Sequence, residues 1–140
     1  MKNILIIFAL FLSGCVNQNN DQPISRIGNL SDQVVILVPT ANATISSPLQ
    51  VKGQAPGNWF FEATAPLVVV DWDGKIIGEH YITAQGDWMT TDLVPFSGEV
   101  SFEIPEDIPY RNGALILQRH NASGLPKHDA AVEIPIQFSK

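Results

Sequence analysis

The sequence predicts an all-β fold, an immunoglobulin-like antiparallel β-sandwich of about seven strands that occupies residues 33–140. Three observations lead to this fold class. After Asp32 the chain consists of short runs of β-type residues, these runs are separated by Pro, Gly, Asn and Asp, and no helical period is sustained long enough to form a helix. Seven such runs joined by short turns are typical of a β-sandwich, in which two antiparallel sheets enclose one core.

The first four runs fill the first half of this domain. Proline cannot donate to a strand ladder and glycine readily takes a positive φ, so these residues are expected to mark strand ends and turns. Prolines accordingly end the first run and precede the second, and an Asp-Trp-Asp-Gly turn separates the third from the fourth. The predicted strands are Gln33–Val38, Leu49–Ala55, a strand within Phe60–Trp72, and Lys75–Thr83.

The last three predicted strands are Glu99–Ile104, Ala114–His120 and Ala131–Phe138. In the last of them, apolar residues alternate strictly with polar residues or proline, a pattern that buries one face and exposes the other. Pro135 lacks an N–H group, and we therefore expect this strand to lie at the edge of a sheet.

The N-terminal residues form a separate unit. The stretch MKNILIIFALFLSGC has one cation, an apolar run from Ile4 to Leu12, and small residues before Cys15. This run is shorter than the roughly 20 residues that a permanent membrane span needs, and it fits a signal peptide at residues 1–14. Leu12-Ser13-Gly14-Cys15 resembles the bacterial lipobox, so we expect acylation of the Cys15 thiol. The alternative is a buried Cys in an ordinary signal-like helix.

Residues 15–32 are predicted to be the lipidated Cys and a flexible tether, because they are rich in Asn, Gln and Asp and show no sustained period. Each buried methylene of an acyl chain contributes about 0.8 kcal/mol, so the protein would be held at the extracytoplasmic side of a bacterial membrane. In a cell with two membranes, Val16 after the lipidated Cys, rather than Asp, favours export to the outer membrane by resemblance to the known sorting rule of lipoproteins. Acylation of Cys15, the single Cys, leaves none for a disulfide, thiol catalysis or a metal site.

Charge excludes some classes of partner. The formal net charge is -6, and the eight Lys and Arg residues are scattered along the chain. The sequence therefore has no basic stripe to neutralise phosphates and no polybasic cluster to bind anionic headgroups. We do not expect nucleic acid as a partner, and we expect membrane attachment only through Cys15.

Two groups of residues have some features of metal sites, but each has a simpler explanation. Asp71-Trp72-Asp73-Gly74 resembles the start of a calcium loop, yet a strand resumes at Lys75 where more oxygen ligands are needed, so a hairpin turn is favoured. The second group is His80, His120 and His128; the last two flank a loop beside Asp129, and solvated loop histidines are favoured over a zinc site. Motifs of nucleophilic and metalloprotease catalysis are absent from the sequence. The sequence therefore predicts no catalytic residue, no cofactor and no metal.

The stretch AQGDWMTTDLVPF, residues 84–96, departs from the alternation around it. Its polar groups beside an aromatic fit a catalytic loop, a ligand-binding patch or a crossover between sheets. The crossover is favoured, since the stretch lies between a strand that ends near Thr83 and one that starts near Glu99. We expect Trp88 and Phe96 to plug the core, and the Asp and Thr side chains to accept hydrogen bonds from loop N–H groups.

Aromatic and polar residues near this stretch form the candidate binding site. An exposed Trp with Asp and Thr neighbours offers a platform for a peptide strand or a sugar ring, whereas a buried Trp caps the core, the favoured reading for Trp88. Phe60 and Phe61 lie on opposite faces of a strand, so one is expected in the core and the other at the surface. The candidate binding residues are Trp59, Glu62, Asp87, Trp88, Thr90, Thr91 and Asp92.

Four motifs, in order, resemble the immunoglobulin-like domain of bacterial spore germination proteins, the second domain type associated with the germination and sporulation module GerMN. They are Asn58–Ala63, the Asp-x-Asp-Gly-Lys turn at 71–75, Ala84–Thr91 with the following Val-Pro-Phe, and Asn121–Pro126. The resemblance covers roughly Val38–Phe138. It implies an Ig-like sandwich outside a bacterial membrane that serves in extracytoplasmic interaction, with no catalytic residues to carry over.

The predicted function is therefore that of a non-catalytic, lipid-anchored cell-envelope module for protein interaction or scaffolding. Its partners would be the membrane, through Cys15, and an unidentified envelope protein. The alternative is a module that binds glycans of the cell wall through exposed Trp59 and Trp88. An envelope enzyme is the third and least favoured possibility.

Overall fold

The computed structural model describes residues 33–140, so the predicted signal peptide, the Cys15 lipidation site and the tether lie outside the described residues. The described part is all-β apart from two short 3-10 turns, at Gly57–Trp59 and Pro126–His128. Its strands are β1 (Val35–Val38), β2 (Thr44–Ile45), β3 (Leu49–Pro56), β4 (Thr64–Val70), β5 (Ile76–Ala84), β6 (Leu93–Val100), β7 (Asn112–Gln118) and β8 (Ala131–Phe138).

The eight strands form one hydrogen-bonded sheet in the order β1-β3-β6-β5-β4-β7-β8-β2. The sheet curls at β5, which pairs with β4 along most of its length but with β6 only through Ile82, Thr83 and Ala84. Strands β1, β3 and β6 form a first half, and β5, β4, β7, β8 and β2 form a second half that faces it. The prediction of an immunoglobulin-like sandwich is confirmed.

The core lies between the two halves. Period-two alternation along β3 buries Leu49 and Val51, while Gln50 and Lys52 face solvent. Val51 and Val100 of the first half join Leu67, Leu115 and Ile136 of the second half in one buried cluster. Burial of apolar surface at about 25 cal/mol per Å² is the main favourable term in such a core.

The strand predicted at Glu99–Ile104 is placed wrongly. Strand β6 begins earlier, at Leu93, and ends at Val100. It tolerates Pro95 because the Pro95 carbonyl accepts a hydrogen bond from the Gln85 N–H (2.7 Å), and the carbonyl and the nitrogen of a strand residue point to the same side. The proline nitrogen therefore faces β5, where the β5–β6 ladder has already ended, and no bond to β3 is lost.

Strand β2 is absent from the sequence prediction. Two residues are too few to show a period, so Thr44 and Ile45 gave no signal, and their parallel pairing with Gln137 and Phe138 of β8 is the exception in an otherwise antiparallel sheet. Beyond this short contact the outer side of β8 has no strand partner among residues 33–140. The Pro135 carbonyl accepts a hydrogen bond from the Asn42 N–H (2.7 Å) on that side, as expected for a proline at an edge.

The Asp-Trp-Asp-Gly turn joins β4 to β5, as predicted for a hairpin. Gly74 takes a φ of 80°, and the buried Asp71 side chain accepts hydrogen bonds from the N–H groups of Asp73 (3.0 Å) and Lys75 (2.9 Å). The carboxylate thus satisfies turn N–H groups that lack a ladder partner. This turn and the segment 101–111 between β6 and β7 form one end of the sandwich, hereafter the turn end.

Three connections meet at the opposite end, hereafter the loop end. They are residues 57–63 between β3 and β4, 85–92 between β5 and β6, and 119–130 between β7 and β8. The strand registers place them together, because Pro56 lies opposite Leu93 and β7 ends opposite the start of β8. Strand β1 also starts here, since Val35 lies opposite Gln54.

Candidate binding site

The 85–92 loop is docked firmly on the 3-10 turn that follows β3. The Gly57 N–H donates a hydrogen bond to the Asp92 carbonyl (3.0 Å). A Cβ atom at Gly57 would lie 2.1 Å from the Thr90 carbonyl oxygen and 2.3 Å from that of Trp88, far inside contact distance. A residue without a side chain is therefore required for this loop to sit where it does.

Side chains of the same loop fix its shape from within. The Asp87 carboxylate accepts a hydrogen bond from the Met89 N–H (3.0 Å), and the Thr90 hydroxyl accepts one from the Asp92 N–H (3.1 Å). Gly86 provides the bend with a φ of 139°. The predicted use of Asp and Thr as acceptors for loop N–H groups is confirmed for Asp87 and Thr90. Thr91 is exposed.

An open surface cavity of ≈ 320 Å³ lies along this loop and the start of β6. Asp87, Thr90 and Asp92 line it, together with Gln85 and an apolar wall that includes Pro95. Three of the seven predicted binding residues therefore meet at one cavity. The cavity offers carboxylate, hydroxyl and amide groups beside apolar surface, which suits a side chain or small polar ligand that donates hydrogen bonds or carries positive charge.

Sequence reasoning missed Gln85 as a cavity residue. Its side-chain amide donates hydrogen bonds to the Thr83 carbonyl (3.2 Å) and the Ser97 hydroxyl (3.1 Å), which hold it over the end of the β5–β6 ladder. The available signal was its position directly after a strand, where a polar side chain often serves a loop or a ligand. Met89, at the tip of the loop, is 78% exposed, the highest value among the large apolar side chains of residues 33–140.

The two candidate tryptophans lie in different environments, and neither is a freely exposed platform. Trp59 is fully buried, so the proposed stacking of a sugar on its ring is wrong: the 3-10 turn folds its side chain into the core. Its indole Nε1 has no hydrogen-bond partner among the described residues. Trp88 is half-buried and packs against the same core, as the favoured interpretation expected.

Glu62 occupies a strained turn. Phe61 and Thr64 exchange backbone hydrogen bonds at 3.0 Å, and the two residues between them, Glu62 and Ala63, both have positive φ, 50° and 63°. A type I′ turn requires this geometry and normally has Asn or Gly there, because a side chain in the left-handed region costs about 1–2 kcal/mol. Glu62 and Phe61 are exposed while Phe60 is buried, so the predicted split of the two phenylalanines is confirmed.

The third loop is organised by a small polar network. The Asn121 side chain donates to the Asp129 carboxylate (2.7 Å) and accepts from the Ser123 hydroxyl (2.6 Å), which lies 2.9 Å from His128 Nδ1. Since the Ser123 proton goes to Asn121, the His128 nitrogen is the donor in that contact. These side chains serve the loop, and no group of three or more potential metal ligands occurs among residues 33–140.

The first and third loops are tied to each other. The Trp59 carbonyl accepts a hydrogen bond from the His120 N–H (2.9 Å), and the Asn58 carbonyl accepts one from the Arg119 side chain (3.0 Å). The His120 ring meets the Phe61 ring edge-on, with centroids 5.0 Å apart. All three loops are thus fixed against one another, which is how a scaffold presents a preformed binding surface.

Comparison with known proteins assigns the domain to a family. Residues 33–118 match the family described as the immunoglobulin-like domain of bacterial spore germination. No curated protein and no solved structure shows significant similarity to the chain. Within the described range, no helix has the length and apolar character to cross a bilayer. The match spans more than half of the 140 residues and ends with β7, and it agrees with the observed fold. The chain therefore belongs to the family of immunoglobulin-like domains of bacterial spore germination.

Proposed function

We propose that the protein is a non-catalytic, lipid-anchored module of the bacterial cell envelope that binds a protein partner through its loop end. The observation that carries this proposal is the open cavity lined by Asp87, Thr90 and Asp92, on a loop that packs closely against Gly57 and accepts a hydrogen bond from its N–H. A site whose groups are already in place loses little conformational entropy on binding.

The chemistry of the cavity favours recognition over catalysis. The Thr90 hydroxyl accepts a hydrogen bond from the Asp92 N–H, and the Asp87 carboxylate accepts one from the Met89 N–H. Both groups therefore stabilise the loop in the unbound state. The cavity is open to solvent, so it lacks the strengthening of electrostatic interactions that a closed, water-free site provides. Two carboxylates beside the apolar Leu93 and Pro95 fit a Lys or Arg side chain of a partner, with its aliphatic stem against the apolar wall.

The binding proposal is tested by removing charge without removing the loop's hydrogen bonds. Asp87→Asn with Asp92→Asn keeps an oxygen acceptor for the Met89 N–H but deletes both carboxylates. We expect recovery of envelope proteins on the immobilised full chain to fall about tenfold or more, because rim and cavity charges steer and hold a cationic group. The matched control is Glu106→Gln with Asp107→Asn, the same charge change at the turn end. Equal recovery of envelope proteins by both variants would contradict the proposal.

Anchoring through Cys15 rests on the lipobox-like sequence Leu12–Cys15 after an apolar run. Cys15→Ser removes the thiol that would be acylated, so the variant is expected in the soluble fraction after cell lysis. Wild type is expected to incorporate labelled palmitate and to stay with membranes. A Cys15→Ser variant that still carries label would refute the assignment.

Glycan binding is the second candidate, and it now depends on the same cavity rather than on Trp59. Carboxylate and amide groups such as Asp87 and Gln85 can hydrogen-bond to sugar hydroxyls, and the half-buried Trp88 lies in the same loop. This version predicts a change in Trp fluorescence on addition of peptidoglycan fragments, and an absent response at millimolar ligand counts against it.

A further inference from the structure

The outer face of the second half, which points away from the core, has an unusual apolar centre. Strand β4 ends in LVVV, residues 67–70, and strand β7 reads ALIL at its centre, residues 114–117, so both segments are apolar on both faces. Their inward residues belong to the main core, while Val68, Val70 and Ala114 form a second buried cluster with Ile116 packed against it. A sheet with one solvated face alternates apolar and polar residues, whereas continuous apolar runs are typical of strands covered on both faces.

The strand registers define what this face presents. One row runs Glu79, Val68, Ile116, Glu133 across β5, β4, β7 and β8, and the next runs Ile76, Val70, Ala114, Pro135. Directly opposed residues in antiparallel strands share a face, so each row is a continuous line of neighbours. The centre of the face is therefore apolar and is largely buried by neighbouring side chains of the same chain, and an exposed carboxylate lies at each end of the first row.

Large apolar side chains frame this centre and remain exposed. On β5, Ile76 is 51% and Tyr81 is 54% exposed. Beyond the ends of β4 and β7, Trp72 (40% exposed) and Tyr110 (59% exposed) meet edge to face, with ring centroids 5.2 Å apart. Exposed apolar residues grouped on one face, with polar residues at the rim, mark interaction surfaces of soluble domains.

The aromatic pair is held in place before any partner arrives. Trp72 follows Asp71, whose carboxylate fixes the turn through two backbone N–H groups. Tyr110 precedes Arg111, whose carbonyl accepts a hydrogen bond from the Phe138 N–H (2.7 Å) and whose side chain donates to the Ser139 carbonyl (2.8 Å). Aromatic side chains on fixed backbone bind at a low entropic cost and are the commonest anchors of protein interfaces.

Charge identifies the kind of partner. Glu79 and Glu133 are separated by three strand spacings, or about 14 Å. A second copy packed on this face by two-fold symmetry would bring together two surfaces that both carry these carboxylates, on chains that each have a net charge of -6. A partner surface that carries apolar side chains between two cations would complement both the apolar centre of this face and the carboxylates at its rim.

We propose that the outer face of the second half docks a different protein, whose contacting surface carries apolar side chains between two Lys or Arg residues about 14 Å apart. The face lies on the side of the sandwich, whereas the proposed loop-end site lies at its tip. The protein would then join two partners, one at each surface.

The test places a photo-crosslinking amino acid at Tyr81 of the full chain in its native cell. We expect an adduct with another protein, whose crosslinked segment contains Lys or Arg beside apolar residues. Glu79→Lys with Glu133→Lys is expected to lower the adduct yield about tenfold or more. Glu106→Lys with Asp107→Lys, which makes the same charge change at the turn end, should leave the yield unchanged. Circular dichroism confirms that each variant is folded.

Each other outcome overturns the proposal. An adduct of twice the chain mass would mean that a second copy occupies the face, and an absent adduct would mean that nothing does. An adduct insensitive to the Glu79 and Glu133 reversals would contradict recognition by charge. The Asp87→Asn, Asp92→Asn variant should keep the Tyr81 adduct, so failure of the loop-end site and failure of this face are distinguished.

Discussion

At the scale of single residues, Gly57 controls the loop end. Its missing side chain lets the Trp88 and Thr90 carbonyls approach the 3-10 turn, and its N–H holds the Asp92 carbonyl. We predict that Gly57→Ala lowers the free energy of unfolding by about 2 kcal/mol, because the added methyl overlaps backbone atoms that cannot rotate away. Urea unfolding followed by Trp fluorescence measures this. Asn58→Ala, at the exposed neighbour, is the control and should be close to neutral.

Glu62 allows a comparison of two substitutions that differ in how well they tolerate the left-handed backbone region. Asn tolerates the left-handed region better than Glu or Ala, since its short side chain hydrogen-bonds locally. We predict that Glu62→Asn is more stable than Glu62→Ala by about 1 kcal/mol, although both remove the same charge. Thermal unfolding of the two variants side by side measures the difference. Equal midpoints would mean that the turn relaxes at no cost.

Local chemistry decided which individual residues could be predicted. Asp87 and Thr90 were recognised as acceptors for nearby N–H groups because an Asx-type or Ser/Thr-type bond depends on residues only two positions away. The burial of Trp59 depends on a 3-10 turn and on both halves of the sheet, which no local pattern encodes. Glu62 was named from the sequence as a candidate binding residue, while its positive φ is visible only in the fold.

At the scale of elements, the β4–β5 hairpin depends on one buried carboxylate. Asp71→Ala leaves the N–H groups of Asp73 and Lys75 without their acceptor, and we predict a loss of about 2 kcal/mol in the free energy of unfolding. Asp73→Ala, in the same turn and exposed, should change the free energy of unfolding far less. The urea unfolding midpoints of the two variants test this prediction. Similar losses of stability in both would show that the hydrogen bonds to Asp71 do not account for the effect.

Strand prediction succeeded where a run of β-type residues was long, and it failed at β2 and β6. The alternation of Val100 and Phe102 suggested one strand, and Phe102 is indeed buried, but its N–H donates to the Ser47 hydroxyl (3.0 Å) instead of to a neighbouring strand. Alternation of apolar and polar residues indicates which side chains are buried, whereas a β-strand also requires backbone hydrogen bonds to a neighbouring strand. Pro95 lies in the stretch predicted as a crossover loop, whereas its position beside the end of the β5–β6 ladder permits a strand there.

At the scale of the whole molecule, stability comes from an apolar core without an intramolecular disulfide, since Cys15 is the single Cys of the sequence. We predict that a reducing agent leaves the urea unfolding midpoint of the full chain unchanged, because no crosslink constrains its unfolded state. The Cys15→Ser variant should unfold at the same midpoint as wild type. A midpoint that falls on reduction would contradict this account.

The fold class was predictable from the whole sequence, whereas the site was predictable only in part. Strand spacing and turn residues sufficed for the sandwich. The cavity needs the end of β5, the 85–92 loop and the start of β6 together, so Gln85 and Pro95 gained their roles only in three dimensions. The outer face of the second half depends on registers across four strands, which the sequence does not specify by itself.

The start of β1 at the loop end has a consequence for geometry at the membrane. If Cys15 is acylated, the predicted tether joins the domain at the loop end, and the turn that carries Trp72 and the segment that carries Tyr110 lie at the opposite end of the sandwich. Residues 15–32, as the predicted tether, allow a gap of about 25 Å. The width of this gap would limit which partners can reach the loop end. A slender or membrane-held partner could contact Asp87 and Asp92, while a bulky partner could approach only the side of the sandwich. Tether length would then select partners as much as the cavity does.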